Sequence, residues 1–498
     1  MNGPAPGDAV AILDRAAARH GDRPAVRDAD GGWTWAQLDA AGRRVADRLA
    51  ARGIGPGDRV LSLLPAGREF AALLSGTLRA GAALVPVRAG ESDFELGHIL
   101  ADAAPALLVG NERRSLPEAD ATPAARMSEL LEQGPDGAVG RVAGARAVAG
   151  QDECLLLYTS GSTGRPKGIV CPHSAVAFAA DAIGGRLGYR EDDVVWNRLP
   201  MCFDYGLYQL FLCALAGAEL VSPPGEMSAS ELADLRKAGA TVLPMVPTSG
   251  ALLARLAARD RRPTKVRLLT NTGAALIGPD ARSVRRAFPG AALVCMYGMT
   301  ECKRITVAEP DEDLRHPATV GRALPGTRVL IVDADGRPQR PGVVGEIVAA
   351  GPHVMAGYWH DPEETARRFR PAPDGTGDPA VFTGDFGYLD PTGRLYFVGR
   401  RDDIFKRRGW RMSTQQLETA LLDVPGVHGA AALPPDSAGT LTVWAVTSLP
   451  ARQVLRELAE RLGAARVPDH CVVLPDLPRT ANGKVDREVL RASSERKP

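Results

Sequence analysis

Short apolar segments alternate with segments of helical periodicity from about residue 50 onwards. The run RVLSLL at residues 59–64 is followed by a helical pattern from Glu69 to Arg79 and then, after Gly81, by AALVPV. The later runs TVLPMVP, VRLLTN and ALVCMYG are separated by GALLARLAARD and DARSVRRAF, whose apolar residues recur at helical spacing. This order is typical of parallel β-sheets covered by helices, and its repetition predicts a second sheet layer in a large α/β fold.

The composition changes near residue 400, which predicts a domain boundary. The charged segment GRRDDIFKRRGWR at residues 399–411 overlaps the end of the apolar run RLYFVG. Beyond it, TQQLETALLDV has helical periodicity and LTVWAVT has the composition of a strand, so the C-terminal part has elements of its own. Upstream, residues 134–150 are small and glycine-rich, and we expect a surface linker there that leads into the strand CLLLY.

Charge and cysteine content exclude several classes of protein. The 498 residues include 60 basic and 59 acidic side chains, so no global field attracts the chain to nucleic acid or to an anionic membrane. The seven cysteines are odd in number and lack CxxC spacing, which argues against a disulfide framework or a zinc site and favours the cytoplasm. The first ten residues lack the pattern of a signal peptide, and Arg79 interrupts the one long apolar stretch, so we expect no membrane span.

The segment YTSGSTGRPKG at residues 158–168 contains three glycines, four Ser or Thr residues and a lysine. It follows the strand CLLLY and precedes the helical pattern SAVAFAADAI, so successive backbone N–H groups are expected to form a site for phosphate. The spacing is not that of a Walker A loop, which argues against a kinase or GTPase. A flexible surface loop is the alternative, but the lysine and the hydroxyls at fixed offsets favour the phosphate site.

This segment resembles the phosphate loop of the adenylate-forming superfamily, which includes acyl-CoA synthetases, nonribosomal peptide adenylation domains and luciferases. Further motifs occur in the order of that family: YGMTE at 297–301, TGD at 383–385, GRRDD at 399–403 and PRTANGKVDR around Lys484. The resemblance covers nearly the whole chain. It implies a large N-terminal domain over residues 1–399, with stacked parallel-rich sheets, helices and a small barrel-like subdomain. It also implies a hinge at 400–402, which includes Asp402, and a small mobile α+β domain over 403–498.

The resemblance implies that a carboxylate attacks the α-phosphorus of ATP, that pyrophosphate leaves, and that Mg²⁺ assists. The residues that would hold the phosphates are Thr159, Ser160, Gly161, Ser162, Thr163, Gly164 and Lys167. Tyr297 would stack on adenine, and Asp385, with Arg400 beside it, would accept the ribose hydroxyls. The candidate catalytic residues are Glu301, which would hold Mg²⁺, Thr300 near the α-phosphate, and Lys484, the mobile lysine that would bridge the carboxylate and the α-phosphate.

The segment LPMCFDYGLYQLF at 199–211 corresponds to the acid pocket of the family. By resemblance, Phe203 is the aromatic gate and Asp204 pairs with the α-ammonium of an amino acid. Arg304 would also lie near the pocket and could itself neutralise Asp204, in which case no amine is required. The other pocket candidates indicate a small, partly polar cavity; they are Tyr205, Tyr208, Thr248, Thr270, Thr272 and Met296.

The resemblance therefore indicates a ligase that forms an acyl-AMP and then transfers the acyl group to a thiol. We expect a small amino or imino acid, with L-proline as the specific candidate, and the phosphopantetheine arm of a carrier protein as the acceptor. Because no carrier segment follows Lys484, that carrier is expected to be a separate protein. The alternatives are an aryl- or acyl-CoA ligase that uses coenzyme A, and a non-catalytic regulator that binds an acyl adenylate. The presence of Lys484, Asp385 and Glu301 argues against the regulator.

Overall fold

The computed structural model describes residues 8–88, 91–111, 122–132, 150–160, 166–274, 276, 278–400, 403–407, 410–436, 439–463, 466–480 and 485–495. The helices are α1 (Ala9–His20), α2 (Trp35–Ala51), α3 (Arg68–Arg79), α4 (Asp93–Ala103), α5 (Met127–Leu131), α6 (His173–Leu187), α7 (Asp204–Ala216), α8 (Glu231–Ala238), α9 (Pro247–Arg259), α10 (Gly278–Ala287), α11 (Glu312–Arg315), α12 (Pro362–Arg368), α13 (Thr414–Leu422), α14 (Ala451–Leu462) and α15 (Arg487–Glu495).

The strands up to β13 are β1 (Pro24–Asp28), β2 (Gly31–Thr34), β3 (Arg59–Ser62), β4 (Ala83–Pro86), β5 (Leu107–Gly110), β6 (Ala124–Arg126), β7 (Glu153–Ser160), β8 (Pro166–Pro172), β9 (Val194–Trp196), β10 (Glu219–Val221), β11 (Val242–Met245), β12 (Leu268–Asn271) and β13 (Ala292–Tyr297). The later strands are β14 (Thr306–Val307), β15 (Arg322–Ala323), β16 (Arg328–Val332), β17 (Gly345–Ala350), β18 (Gly357–Tyr358), β19 (Phe369–Pro371), β20 (Pro379–Leu389), β21 (Leu395–Arg400), β22 (Ile404–Arg407), β23 (Trp410–Ser413), β24 (Val427–Ala432), β25 (Thr442–Thr447) and β26 (His470–Leu474).

Two large parallel-rich sheets confirm the predicted pair of sheet layers. One sheet has nine strands in the order β15-β14-β13-β12-β11-β9-β10-β1-β2, and the other has seven in the order β18-β8-β7-β4-β3-β5-β6. The predicted alternation is confirmed in both, since β3 pairs in parallel with β4 and β12 lies in parallel between β11 and β13. These strands are short and almost fully buried, as expected for parallel strands covered on both faces.

A layer of helices fills the space between the two sheets. One apolar cluster includes Val60 and Leu155 of the seven-stranded sheet and Val195 and Val242 of the nine-stranded sheet, together with side chains of α1, α2, α3, α6 and α7. Helices α2 and α3 cross closely at Gly76, where an added Cβ would lie 2.4 Å from Cβ of Val45. The close approach needs a residue without a side chain, so this glycine sets the spacing of the central layer.

A five-stranded antiparallel sheet follows the two parallel layers along the chain. Its order is β16-β17-β20-β19, and β21 also pairs with β20. This sheet occupies the position of the predicted barrel-like subdomain. It contributes two side chains to the candidate site, because Asp385 of β20 lies opposite Arg400 of β21 in the register.

The C-terminal part forms elements with their own apolar cores. β22 pairs with β23, and β24, β25 and β26 form a three-stranded sheet. Leu417 and Leu421 of α13 pack with Val443 of β25 and Val454 of α14 in one buried cluster. The predicted α+β character is confirmed. The proposed hinge at 400–402 begins at Arg400, the last residue of β21, and residues 401–402 lie outside the described residues, so the domain limits stay a proposal.

All seven cysteines are free, as the sequence predicts. Within the described ranges, every helix is too short or too polar to cross a bilayer.

Candidate active site

The predicted phosphate loop connects two antiparallel strands rather than a strand and a helix. β7 ends at Ser160 and pairs with β8 so that Thr159 lies opposite Lys167. The predicted helical stretch SAVAFAADAI is confirmed as part of α6, which begins at His173, and the strand that was not predicted is β8, which lies between the loop and this helix and pairs with β7. Four further predicted phosphate ligands lie outside the described residues, namely Gly161, Ser162, Thr163 and Gly164.

Lys167 points towards the segment around β18 and α12. Its Nζ donates to Oδ2 of Asp361 at 3.1 Å and lies 5.4 Å from the centroid of the Tyr358 ring. Asp361 also accepts from the backbone N–H of Glu364 at the start of α12. That backbone bond, together with Lys167, lowers the pKa of Asp361, so the aspartate is a charged partner for the lysine at neutral pH.

Glu301 lies on the other side of the same tyrosine. The hydroxyl of Tyr358 donates to Oε1 of Glu301 at 2.7 Å, and the backbone N–H of Met355 donates to the carbonyl of Glu301. Burial raises the pKa of Glu301, although the Tyr358 bond favours the ionised form. Thr300, the preceding residue, is buried. The structure therefore brings Lys167 and Glu301 together around Tyr358, which the sequence analysis did not identify.

The surroundings of Glu301 fit a magnesium ion that arrives with a nucleotide. In the parts of the chain that the structure describes, no cluster of three or more His, Cys, Asp or Glu side chains could enclose a metal alone. Mg²⁺ often takes only one or two carboxylates and completes its shell with phosphate oxygens and water. A single half-buried carboxylate with a raised pKa gains from such a cation, because the cation stabilises its charged form.

Tyr297, Asp385 and Arg400 form the second predicted group: Tyr297 and Arg400 are the last residues of β13 and β21, and Asp385 lies within β20. The Tyr297 hydroxyl donates to Oδ2 of Asp385 at 2.6 Å, and Nε of Arg400 lies 3.5 Å from Oδ1. Burial raises the pKa of Asp385, and the charge of Arg400 opposes that effect. The ring of Tyr297 packs at 5.4 Å from the ring of Phe397. The carboxylate predicted to bind the ribose is thus bonded to the tyrosine predicted to bind adenine.

The acid pocket contains a buried ion pair. Asp204 is the first residue of α7, and its Oδ2 accepts from Nη1 of Arg304 at 3.0 Å. The side chains of Arg304 and Asp204 are only 5% and 4% exposed. The guanidinium lies 4.7 Å from the centroid of the Tyr205 ring, a cation–π arrangement. Asp204 therefore has the cationic partner that the sequence analysis named as the alternative to a substrate amine.

The other predicted pocket residues lie on the elements around this pair. The Tyr205 hydroxyl contacts Oγ1 of Thr270 at 2.7 Å and donates to the Thr270 carbonyl at 2.8 Å, which ties α7 to β12. The Phe203 ring lies edge-on to that of Tyr205 at 6.4 Å. Three of the remaining candidates are buried and Thr248, in α9, is half-buried; the buried ones are Tyr208, Thr272 and Met296.

Lys303 is a residue of the site that the sequence analysis missed. It is fully buried, and its Nζ donates to the carbonyl of Thr300 at 3.1 Å and to Sγ of Cys171 at 3.3 Å. Its φ of 62° lies in the left-handed region that non-glycine residues rarely adopt. The lysine joins the turn before Glu301 to β8, the strand that carries Lys167. Nothing in the local pattern ECKR distinguishes it from a solvent-exposed lysine.

Lys484 and Asp402 lie outside the described residues. Their predicted roles, as the mobile lysine and as the hinge, stay predictions.

Comparisons with known proteins identify the family of the chain. The family model described as AMP-binding enzyme matches residues 13–359, and the model of the AMP-binding enzyme C-terminal domain matches residues 416–484. A salicyl-AMP ligase, also named salicyl-S-ArCP synthetase, from Mycobacterium tuberculosis is 33% identical over 96% of this chain and 89% of its own length. The AMB antimetabolite synthetase AmbB from Pseudomonas aeruginosa is 34% identical over 96% of this chain. The chain spans only 38% of AmbB and 6% of CymA from Salinispora arenicola.

Solved structures share the fold. The ATP-bound MatB from Rhodopseudomonas palustris has a TM-score of 0.85 at 27% identity, covering 98% of this chain and 99% of that one. VinN in complex with L-aspartate has a TM-score of 0.70 at 35% identity, covering 79% of this chain and 99% of that one. Adenylating enzymes of this kind use ATP with Mg²⁺. The chain belongs to the AMP-binding enzyme family and is one of its adenylate-forming ligases.

Proposed function

We propose that this chain activates a small amino or imino acid as its acyl-AMP and transfers it to the phosphopantetheine thiol of a separate carrier protein. The observation that carries this proposal is Asp204. It is a buried side chain at the start of α7 whose Oδ2 is bonded to Arg304, while no described side chain or backbone group donates to its Oδ1. Oδ1 is not among the fully enclosed atoms that lack a partner, so a ligand can reach it. The ammonium of an amino acid would supply this oxygen with a donor and a positive charge.

The remaining site residues take the roles expected for adenylation. A carboxylate oxygen of the acid bonds to the α-phosphorus of ATP, and the bond between the α- and β-phosphates breaks to release pyrophosphate. Lys167, with the other phosphate-loop residues, neutralises the phosphates, and Lys484 approaches the attacking carboxylate and the α-phosphate. Thr300 would lie next to the reacting groups, and Glu301 would hold Mg²⁺, which would supply positive charge near the phosphates.

Nucleotide binding exchanges two of the partners seen in the structure. The triphosphate competes with Asp361 for Lys167, and the ribose hydroxyls compete with Tyr297 for Asp385.

The relatives support the acid and the acceptor that we propose. VinN binds L-aspartate, an amino acid, and the salicyl-S-ArCP synthetase is named for a carrier-bound product. L-Proline is the specific candidate from the sequence. A pyrophosphate-release assay over amino acids, L-proline, salicylate and simple fatty acids tests the acid, and intact-mass analysis of a carrier protein tests the transfer. The proposal would be contradicted if acids that lack an amine release pyrophosphate while none of the amino acids does.

The role of Asp204 has a direct test. Asp204→Asn should raise KM for the amino acid about 10-fold or more while leaving KM for its des-amino analogue nearly unchanged, because only the former loses a charged partner. An equal effect on both acids would reject the pairing with an amine.

An aryl- or acyl-CoA ligase is the second candidate, and one observation favours it. Arg304 already balances the charge of Asp204, so the pocket can accept an acid without an amine. A solved relative, MenE from Bacillus subtilis, is named an o-succinylbenzoate coenzyme A synthetase. Formation of a coenzyme A thioester in the absence of any carrier protein would favour this alternative.

A further inference from the structure

Arg304 donates hydrogen bonds to described residues through only one of its three guanidinium nitrogens, Nη1. Nη1 donates to Oδ2 of Asp204 and to the carbonyl of Lys303, both at 3.0 Å. Among the residues that the structure describes, no group accepts from Nε or Nη2. A guanidinium presents five N–H donors, so three of them, along the Nε–Nη2 edge, lack an acceptor.

That edge is accessible, although the side chain is 95% buried. Neither Nε nor Nη2 is among the fully enclosed nitrogen and oxygen atoms that lack a partner in the described residues, so both retain some accessible surface. The Tyr205 ring lies against the guanidinium, and the bond to Asp204 fixes its orientation. An unsatisfied N–H is most costly where the surroundings exclude water, so the edge is suited to an acceptor that enters the pocket.

The charges around the pocket point the same way. Lys303 is fully buried and bonds only to the neutral carbonyl of Thr300 and to Sγ of Cys171 among the described residues. Asp204 is bonded to Arg304, and Lys303 is the neighbour of Arg304 in the chain. Glu301 is bonded to Tyr358 on the side proposed for Mg²⁺ and ATP. The three buried side chains Asp204, Lys303 and Arg304 thus carry two positive charges and one negative charge.

We propose, building on the amino-acid ligase described above, that the acid carries a second carboxylate and that the Nε–Nη2 edge of Arg304 binds it. The amine takes the remaining oxygen of Asp204, and the other carboxylate is adenylated. A planar carboxylate matches two parallel N–H groups of a guanidinium in a bidentate pair. The Tyr205 ring covers one face of the guanidinium, so the second carboxylate approaches Arg304 along the free edge, and the substrate is an amino dicarboxylic acid such as aspartate or glutamate. Proline, which has no second anion, leaves the edge unpaired.

The matched panel for the wild-type chain is L-aspartate, L-asparagine, L-glutamate, succinate and L-proline. Asparagine has the shape of aspartate without the charge, and succinate lacks the amine. We expect kcat/KM for pyrophosphate release to be about 100-fold or more higher with L-aspartate or L-glutamate than with L-asparagine, because a site built for a polar group rejects an analogue that leaves its buried groups unpaired. Thermal-shift titration with the same acids, without ATP, should give the same order.

Two variants connect that preference to Arg304. Arg304→Gln should reduce the ratio of kcat/KM for aspartate to kcat/KM for asparagine to about 10-fold or less, mainly by raising KM for aspartate. Arg304→Lys should give an intermediate ratio, because lysine keeps the charge but lacks the two parallel N–H donors of a guanidinium. Arg198→Gln is the control, since Arg198 forms a comparable pair with the fully buried Glu231 at 2.6 Å. It should lower the melting temperature and keep the wild-type ratio.

The outcomes separate the two proposals. If kcat/KM for L-proline or L-asparagine equals or exceeds the values for both dicarboxylic amino acids, the proposal of a second carboxylate is wrong, whereas the proposal of an amino-acid ligase stands. If succinate matches aspartate, or only acids without an amine release pyrophosphate, both proposals fail. If Arg304→Gln does not fold, the wild-type panel and the thermal shifts decide by themselves.

Discussion

Individual hydroxyls and carboxylates in this site are positioned by neighbours that no local motif identifies. Tyr358 is the clearest case, because it lies between Lys167 and Glu301 and donates to the carboxylate. It comes 57 residues after Glu301 in the chain. Its role follows from the pairing of β18 with β8, which places the tyrosine opposite Ile169 near the phosphate loop.

Tyr358→Phe should weaken the use of Mg²⁺. Without the donor, the half-buried Glu301 carboxylate loses a bond that favours its charged form, at a cost of about 1–3 kcal/mol. We expect the Mg²⁺ concentration for half-maximal pyrophosphate release to rise about 10-fold. Tyr189→Phe is the matched control, since the Tyr189 hydroxyl donates to Gln209 at 2.7 Å outside the site. The same Mg²⁺ dependence in both variants would contradict the role of Tyr358.

His353 gives the fold a dependence on acid pH. It is fully buried, both ring nitrogens lack a partner in the described residues, and burial lowers its pKa to about 4. The folded chain therefore keeps the ring neutral, whereas the unfolded chain protonates it near pH 6.5. Stability from this group is present above pH 6.5 and is lost as the pH falls towards 4, by up to about 3 kcal/mol.

His353→Phe removes this titration, because the new ring is apolar and faces Phe178, whose ring centroid is 6.5 Å from that of His353. Melting temperatures from pH 7.5 to pH 4.5 should fall less in the variant than in the wild type. Parallel curves for the two proteins would exclude His353 as the cause.

At the scale of the elements, the sequence pattern predicts the strands that are buried on both faces, because such strands consist almost entirely of apolar residues. β11, β12 and β13 were predicted from continuous apolar runs and pair in parallel as expected. The hairpin of β7 and β8 was not predicted, because PKGIVCP lies between a glycine-rich loop and a helix, and only the partner strand decides its conformation. The same applies to β1, which joins the sheet beside β10, nearly 200 residues away in the chain.

The surroundings of two glycines, Gly76 at the crossing of α2 and α3 and Gly185 in α6, predict opposite effects of an added methyl group on the free energy of unfolding. In Gly76→Ala, the new Cβ would lie 2.4 Å from Val45 and 2.8 Å from the backbone oxygen of Gly42, so the helices must separate. We expect a loss of about 1–3 kcal/mol. Gly185 lies within α6, is exposed and has no atom within 4 Å of an added Cβ. Gly185→Ala should therefore stabilise the fold by about 0.5–1 kcal/mol. Urea denaturation monitored by fluorescence measures both changes, and equal shifts would contradict the packing argument.

At the scale of the whole molecule, the sequence predicts which residues belong to the site better than it predicts the side chains to which they are bonded. The motifs identify Lys167, Glu301 and Asp385, and the structure adds the side chain to which each is bonded: Asp361, Tyr358 and Tyr297. It also adds Lys303, which joins two segments more than 130 residues apart. Such contacts arise from the stacking of two sheets and a helical layer, and no single segment encodes that stacking.

The proposed division of labour between the two domains predicts a separation of the two half-reactions. In the proposed division, the phosphate loop is part of the first domain and Lys484 is part of the second, and the charge of Lys484 would be needed only while the carboxylate attacks the α-phosphorus. Lys484→Ala should lower pyrophosphate release at least about 1000-fold, while ATP affinity changes less than about 3-fold. Transfer from a chemically prepared acyl-AMP to the carrier should persist near the wild-type rate, because in acyl-AMP the acid is already joined to the α-phosphate. Lys237→Ala, on the exposed end of α8, is the control and should leave both steps unchanged. Loss of both half-reactions in Lys484→Ala, with a wild-type melting temperature, would show that the lysine serves both steps and would contradict its assignment to the first half-reaction alone.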